Sequence, residues 1–162
     1  MIQKLQTLAA AALLTVGLAQ TASAQEGENA GVWRLTCDTG VCQAFFNIAN
    51  EGSEDPFIGW SILYSTDGDF YSIIIKTPTL VALPPGVRLW FPNGDFANIP
   101  FQVCDGMNCQ AVAVLEDRVR KGLSGNSTAK VAFTIYGEPE PKAYEVPIDG
   151  FDEALERLKT LK

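Results

Sequence analysis

Apolar and polar residues alternate along most of the chain from Val32 onward. Ile58, Trp60, Ile62 and Tyr64 share one parity against Gly59, Ser61 and Ser65, with Leu63 the exception. Tyr71, Ile73 and Ile75 follow the same rule, as do Val87, Leu89 and Phe91 against Arg88 and Trp90. Ala129, Val131, Phe133 and Ile135 are set against Lys130 and Thr134. A period of two marks half-buried strands, because successive side chains leave a strand on opposite faces. The pattern predicts strands over 32–36, 42–48, 58–65, 70–76, 87–91, 99–104, 109–115 and 129–136. A last strand carries Tyr144, Val146 and Ile148 inward, and Pro147, which cannot donate to a ladder, puts it at an edge. Asp67-Gly68 and Asn93-Gly94 are hairpin pairs, and Pro78, Pro84, Pro85 and Gly86 break the chain between strands.

The period changes at two places. Residues 117–123 read as a short helix closed by Gly125. Phe151, Ala154, Leu155, Leu158 and Leu161 recur at helical spacing, giving one apolar stripe over a helix at 150–162. Asp149 is expected to cap it, with Asp152 three residues on. Acidic Asp152 and Glu153 stand in its first turn, and basic Arg157, Lys159 and Lys162 near its end, as the helix dipole prefers. The stripe is expected to dock on the sheet. Many short strands at regular spacing predict a mainly β fold, an antiparallel immunoglobulin-like β-sandwich with a C-terminal α-helix.

The N-terminus stands apart. One positive charge at Lys4, an apolar run over 8–19 and Ala22-Ser23-Ala24 form the three parts of a signal peptide, with cleavage expected after Ala24. The apolar run is too short for a transmembrane anchor. The expected organisation is a signal peptide at 1–24 and a single sandwich domain at 25–162, in which 25–31 is a flexible polar lead-in. Export to the periplasm or the outer-membrane-associated envelope follows.

Export changes the reading of the four cysteines. Cys37 and Cys42 bracket Asp-Thr-Gly-Val, and Cys104 and Cys109 bracket Asp-Gly-Met-Asn. A four-residue hairpin loop sets its flanking residues opposite each other, within disulfide reach. Four cysteines allow three pairings; the local pairs Cys37–Cys42 and Cys104–Cys109 are favoured. A four-cysteine zinc site and a redox dithiol are the alternatives. The oxidising compartment opposes the first, and the wide spacing in strand–turn–strand context opposes the second.

The chain has 162 residues, net charge −7, 47% hydrophobic residues and no histidine. Without histidine there is no Ser-His-Asp or Cys-His nucleophile and no histidine-ligated metal. The negative balance argues against nucleic acid and anionic membrane as partners. Asp67 and Asp69 read as a turn, lacking the further ligands of a calcium loop. Glu138 and Glu140 lie in a stiff exposed Pro-rich connection, which offers no pocket for a glycosidase pair. Arg118, Arg120 and Lys121 read as the wet face of the short helix. Asn126-Ser127-Thr128 matches a glycosylation sequon, a weak three-residue signal. No catalytic residue, metal site or cofactor is expected.

Trp33 and Trp60 have core parity, whereas Trp90 and Phe45 do not. Large aromatics are usually mostly buried, so the terminal helix or a loop is expected to cover these two. The alternative is an exposed aromatic that binds a protein or glycan partner.

Six elements in order resemble the invasion-associated locus B family. They are Trp33-x₃-Cys37, Cys42, Leu83-Pro84-x-Gly86-Val87, Cys104-x₄-Cys109, Ala129-x-Val131-x-Phe133 and Gly150-Phe151-x₂-Ala154-Leu155-x₂-Leu158. The resemblance implies an exported, envelope-associated β-sandwich without catalytic residues, in a family named for host-cell invasion. The expected function is non-enzymatic and surface-mediated, with membrane association only through partners. A periplasmic ligand-binding or inhibitor module, or a thiol-redox protein, is the alternative.

Overall fold

Hairpins at the marked turns fold the first half of the chain into a meander. The computed structural model describes residues 28–38, 41–49 and 56–161; the signal-peptide segment lies outside the described residues. Strands β1 (Asn29–Ala30), β2 (Trp33–Asp38), β3 (Val41–Ala49), β4 (Pro56–Ser65) and β5 (Phe70–Pro78) pair successively. Strands β6 (Val87–Trp90) and β7 (Phe96–Ile99) form a hairpin that leaves this sheet. The chain then returns through β8 (Phe101–Cys104) and β9 (Asn108–Val114). Helix α1 (Asp117–Leu123) leads to β10 (Thr128–Phe133) and β11 (Lys142–Pro147), and helix α2 (Phe151–Thr160) ends the fold.

The result is an antiparallel β-sandwich. One sheet has seven strands in the order β1-β2-β3-β4-β5-β9-β8, and the other has four in the order β11-β10-β6-β7. The parity read from the sequence sets the inner faces. Trp33, Leu35, Ala44, Ile58, Trp60, Ile62, Ile73 and Ile75 are at most 2% exposed. From the smaller sheet, Val87, Leu89, Val131 and Val146 meet them in one continuous core. Trp33 packs edge-on against Phe46 at 4.7 Å between ring centroids and lies 6.1 Å from Phe151. Pro147 does end an edge strand, and the strand expected over 99–104 is divided at Pro100 between two sheets.

Helix α2 docks by its stripe: Phe151, Ala154, Leu155 and Leu158 are buried. It shares the inner face of the larger sheet with the smaller sheet. The Tyr71 hydroxyl donates to the Leu155 carbonyl at 2.7 Å, and the Trp33 indole N–H donates to the Ile148 carbonyl at 3.4 Å. The helix start differs from expectation. Its N-cap is Gly150 in a left-handed conformation, and no side chain caps it. Asp149 contributes its carbonyl instead, accepting from the Val32 N–H at 3.1 Å. Asp152 turns away to accept from the Ser124 hydroxyl and the Gly125 N–H, both at 2.9 Å. A tertiary partner has displaced the local cap. The expected lead-in is likewise ordered at Asn29–Ala30, because Ala30 is fully buried beneath α2 and pairs with Trp33.

Two disulfides close hairpin tips, Cys37–Cys42 and Cys104–Cys109, each with Cα atoms 4.0 Å apart, and no cysteine is free. Each pair is directly opposite in its ladder. Asp105 organises the second tip by accepting from the N–H groups of Met107 and Asn108 at 2.7 and 2.8 Å. Those two bonds favour its ionised form and hold its pKa below the usual carboxylate value.

Candidate functional site

Of the three tryptophans, Trp33 and Trp60 are fully buried and Trp90 is not. Trp90 ends β6, and alternation from buried Leu89 turns it to the outer face of the smaller sheet. Helix α2 contacts β1 to β4 and stays on the inner side, so it covers neither Trp90 nor Phe45. The expectation of cover by that helix fails because its apolar stripe is used up on Trp33, Tyr71 and their neighbours. Both aromatics remain partly buried, but on opposite outer faces of the sandwich. Phe45 stands in a cross-strand row with Arg34, Ser61, Ile74 and Val112 on the larger sheet. The structure therefore does not bring the two candidates into one site.

Around Trp90 a site is assembled by register. Phe96 lies opposite it on β7 and Lys130 opposite it on β10. Two residues back, Arg88 is flanked by Asn98 and Ala132. The Arg88 guanidinium sits 5.5 Å from the Trp90 ring centroid and 4.9 Å from that of Phe96. Its Nε donates to Asn98 Oδ1 at 3.2 Å. Cation–π contacts and this single bond hold the guanidinium beside both rings, and the Arg88 side chain is exposed. Neither Arg88 nor Lys130 takes part in an ion pair among the described residues. Glu145 is in register with Lys130 on the far side but not within ion-pair distance.

Two open cavities flank the indole. The larger, about 510 Å³, lies toward the β6–β7 turn among Phe91, Pro92, Gly94, Thr128 and Lys130. The smaller, about 190 Å³, lies toward the start of β6 among Pro85, Arg88, Ala132 and Pro141. Trp90 belongs to both. Together they make a groove along β6 with the indole as its central ridge. Prolyl, aromatic and alanyl residues line them together with Thr128 in the larger and Thr134 in the smaller, and each lobe holds a cation. The signal for these partners is present in the sequence: Arg88-x-Trp90 shares a face, and the Asn93-Gly94 turn folds Phe96 back onto Trp90. What strand pairs beyond β6 is not visible there, so Lys130 is missed.

The other charged candidates are structural. Arg118 pairs with Asp95 at 3.2 Å and Arg120 with Glu156 at 3.5 Å. Glu138 pairs with Lys142 at 2.8 Å in the exposed connection. Asp69 accepts from the Tyr64 hydroxyl at 2.8 Å, a bond that raises the tyrosine pKa by favouring its protonated form. Among the described residues, no group of three or more acidic or cysteine side chains is arranged to hold a metal ion. No helix among them is long and apolar enough to cross a membrane.

The fold is a two-sheet antiparallel sandwich with hairpin disulfides and a helix closing its inner face, and the groove lies on the outer surface of the smaller sheet. The chain belongs to the family described as invasion associated locus B (IalB) protein, whose model matches residues 19–159. Among solved structures it is similar to the crystal structure of invasion associated protein b from Bartonella henselae. That match has a TM-score of 0.73 at 23% identity and covers 83% of this chain and 96% of the other. At that identity the likeness concerns the fold. No curated protein matches the chain.

Proposed function

We propose that the protein is an exported, non-enzymatic component of the bacterial envelope that works by binding a macromolecular partner in the Trp90 groove. The observation that carries this reading is Trp90 itself. It is the one tryptophan left outside the core, and Arg88 holds it as a ridge between two cavities. Export is supported by the signal-peptide pattern at 1–24, ahead of a domain at 25–162, and by two disulfides that belong in an oxidising compartment. A periplasmic or outer-membrane-associated location fits both. The absence of histidine and the pairing of all four cysteines in disulfides support a non-enzymatic role. The family description and the name of the Bartonella protein make host-cell invasion the natural context for such a partner.

The test is cross-linking and capture from envelope fractions with wild type and Trp90→Ala, alongside N-terminal sequencing of the exported protein. The expected results are a mature chain starting at Gln25 and a partner captured by wild type but not by Trp90→Ala. Capture that is indifferent to Trp90, or robust turnover of a substrate by the purified protein, would overturn the reading.

A further inference from the structure

The partner chemistry is legible in the groove, and this step rests on the binding role just proposed. We infer that the groove accepts an extended, acidic, proline-containing peptide segment of another protein. Three features point there. First, the lobes are lined by Pro85, Pro92 and Pro141 with the Trp90 indole between them, surfaces that pack prolyl rings without hydrogen bonds. Aromatic-lined grooves with an indole ridge recognise polyproline II segments in this way, since that helix is already extended and has little ordering entropy to lose. Second, the dimensions agree. From Gly86 to Trp90 the strand rises about 13 Å, which is about four residues of polyproline II. That stretch fills the smaller lobe up to the Trp90 ridge, and the segment continues beyond it into the larger lobe.

Third, each lobe carries a cation with no carboxylate partner in a chain of net charge −7. Arg88 spends only its Nε on Asn98. Its terminal nitrogens form a fork that suits a carboxylate bidentately. Lys130 offers a point charge at the other lobe. Glutamates flanking the prolines along the bound segment meet these two groups while the prolines face the walls. A saccharide fits less well, because its many hydroxyls need paired donors and acceptors, and the neutral polar side chains lining the two lobes are one threonine each, Thr128 and Thr134.

The probe is a synthetic peptide alternating Glu and Pro, titrated into the full mature protein and followed by tryptophan emission and calorimetry. The expected result is saturable one-to-one binding that weakens with salt. Arg88→Gln and Lys130→Gln each weaken it by about tenfold or more, the scale of a lost charged hydrogen bond. Both side chains are exposed, so the fold is unaffected, and near-ultraviolet dichroism verifies this. A Glu-Ala peptide of equal charge and a Lys-Pro peptide bind at least about tenfold more weakly. No saturable binding of the Glu-Pro peptide, or binding indifferent to Arg88→Gln, overturns the inference. So does Arg88-dependent binding of polygalacturonate in its place. A dimer in sedimentation that Arg88→Gln dissolves also overturns it, because the occupant would then be the Glu138–Pro141 stretch of a second copy. Trp90-dependent capture of an envelope partner together with a silent peptide titration refutes only this chemistry and leaves the binding role standing.

Discussion

Gly31 and Gly150 lie back to back where the β1–β2 turn meets the start of α2. A Cβ on Gly31 would fall on the Asp149 carbonyl, and a Cβ on Gly150 on that of Ala30. Both residues have positive φ, +58° and +80°. The contact clamps the β1–β2 turn to the last helix. It allows Asp149 to receive the Val32 N–H. Gly31→Ala or Gly150→Ala is expected to lower stability by about 1–3 kcal/mol through backbone strain alone, and by more through the clash. Denaturant titration checks this, and hydrogen exchange in α2 should rise before that of the β3–β5 strands.

Tyr71 ties α2 to β5 through its hydroxyl, and burial pushes its pKa up to about 12, with Glu156 adding to the shift. An unfolded tyrosine ionises near 10, so the folded state retains the proton over a window in which the unfolded chain loses it. This contribution to stability is full below about pH 10 and is lost as pH rises toward 12. Alkaline titration of phenolate absorbance should show Tyr71 ionising late or together with unfolding. Tyr71→Phe should cost about 1 kcal/mol at neutral pH and flatten the alkaline fall.

The disulfides close short loops, so the chain-entropy effect of each is about 2 kcal/mol. Cys104→Ser paired with Cys109→Ser is expected to lower the denaturation midpoint while leaving the circular dichroism of the sandwich intact. The wild-type protein should show no reactive thiol before reduction, as a thiol assay can establish. Free thiols in the native protein would contradict the pairing.

Trp33 and Trp90 should respond oppositely to truncation. Trp33→Ala opens a cavity between β2 and α2 and is expected to cost about 3–5 kcal/mol. Trp90→Ala removes a solvent-side stack with Arg88 and is expected to cost about 1 kcal/mol. Denaturant titration separates them, and the binding assays should show the larger loss for Trp90→Ala. A comparable stability loss at both positions would make Trp90 a packing residue.

The sequence by itself determined the strand parity, the turns at Asp67-Gly68 and Asn93-Gly94, both helices and the burial of Trp33 and Trp60, and it favoured the local cysteine pairs that the structure shows. These follow from local rules: period two, period 3.6, turn chemistry and the reach of a short loop. Only the tertiary structure decided what α2 covers. Its stripe is apolar whichever face it meets, and the Gly31–Gly150 contact across the fold directs it inward. The same contact replaced the expected Asp149 cap with a left-handed glycine, and Ser124 and Gly125 drew off Asp152. The site divided in the same way. Arg88-x-Trp90 is legible as an outward-facing pair, but Lys130 arrives through the pairing of β6 with β10, residues distant in the chain. Strand alternation tells each side chain which side of its own sheet it occupies. Which strands lie beside it, and what covers that side, is set by long-range pairing and packing of the whole domain.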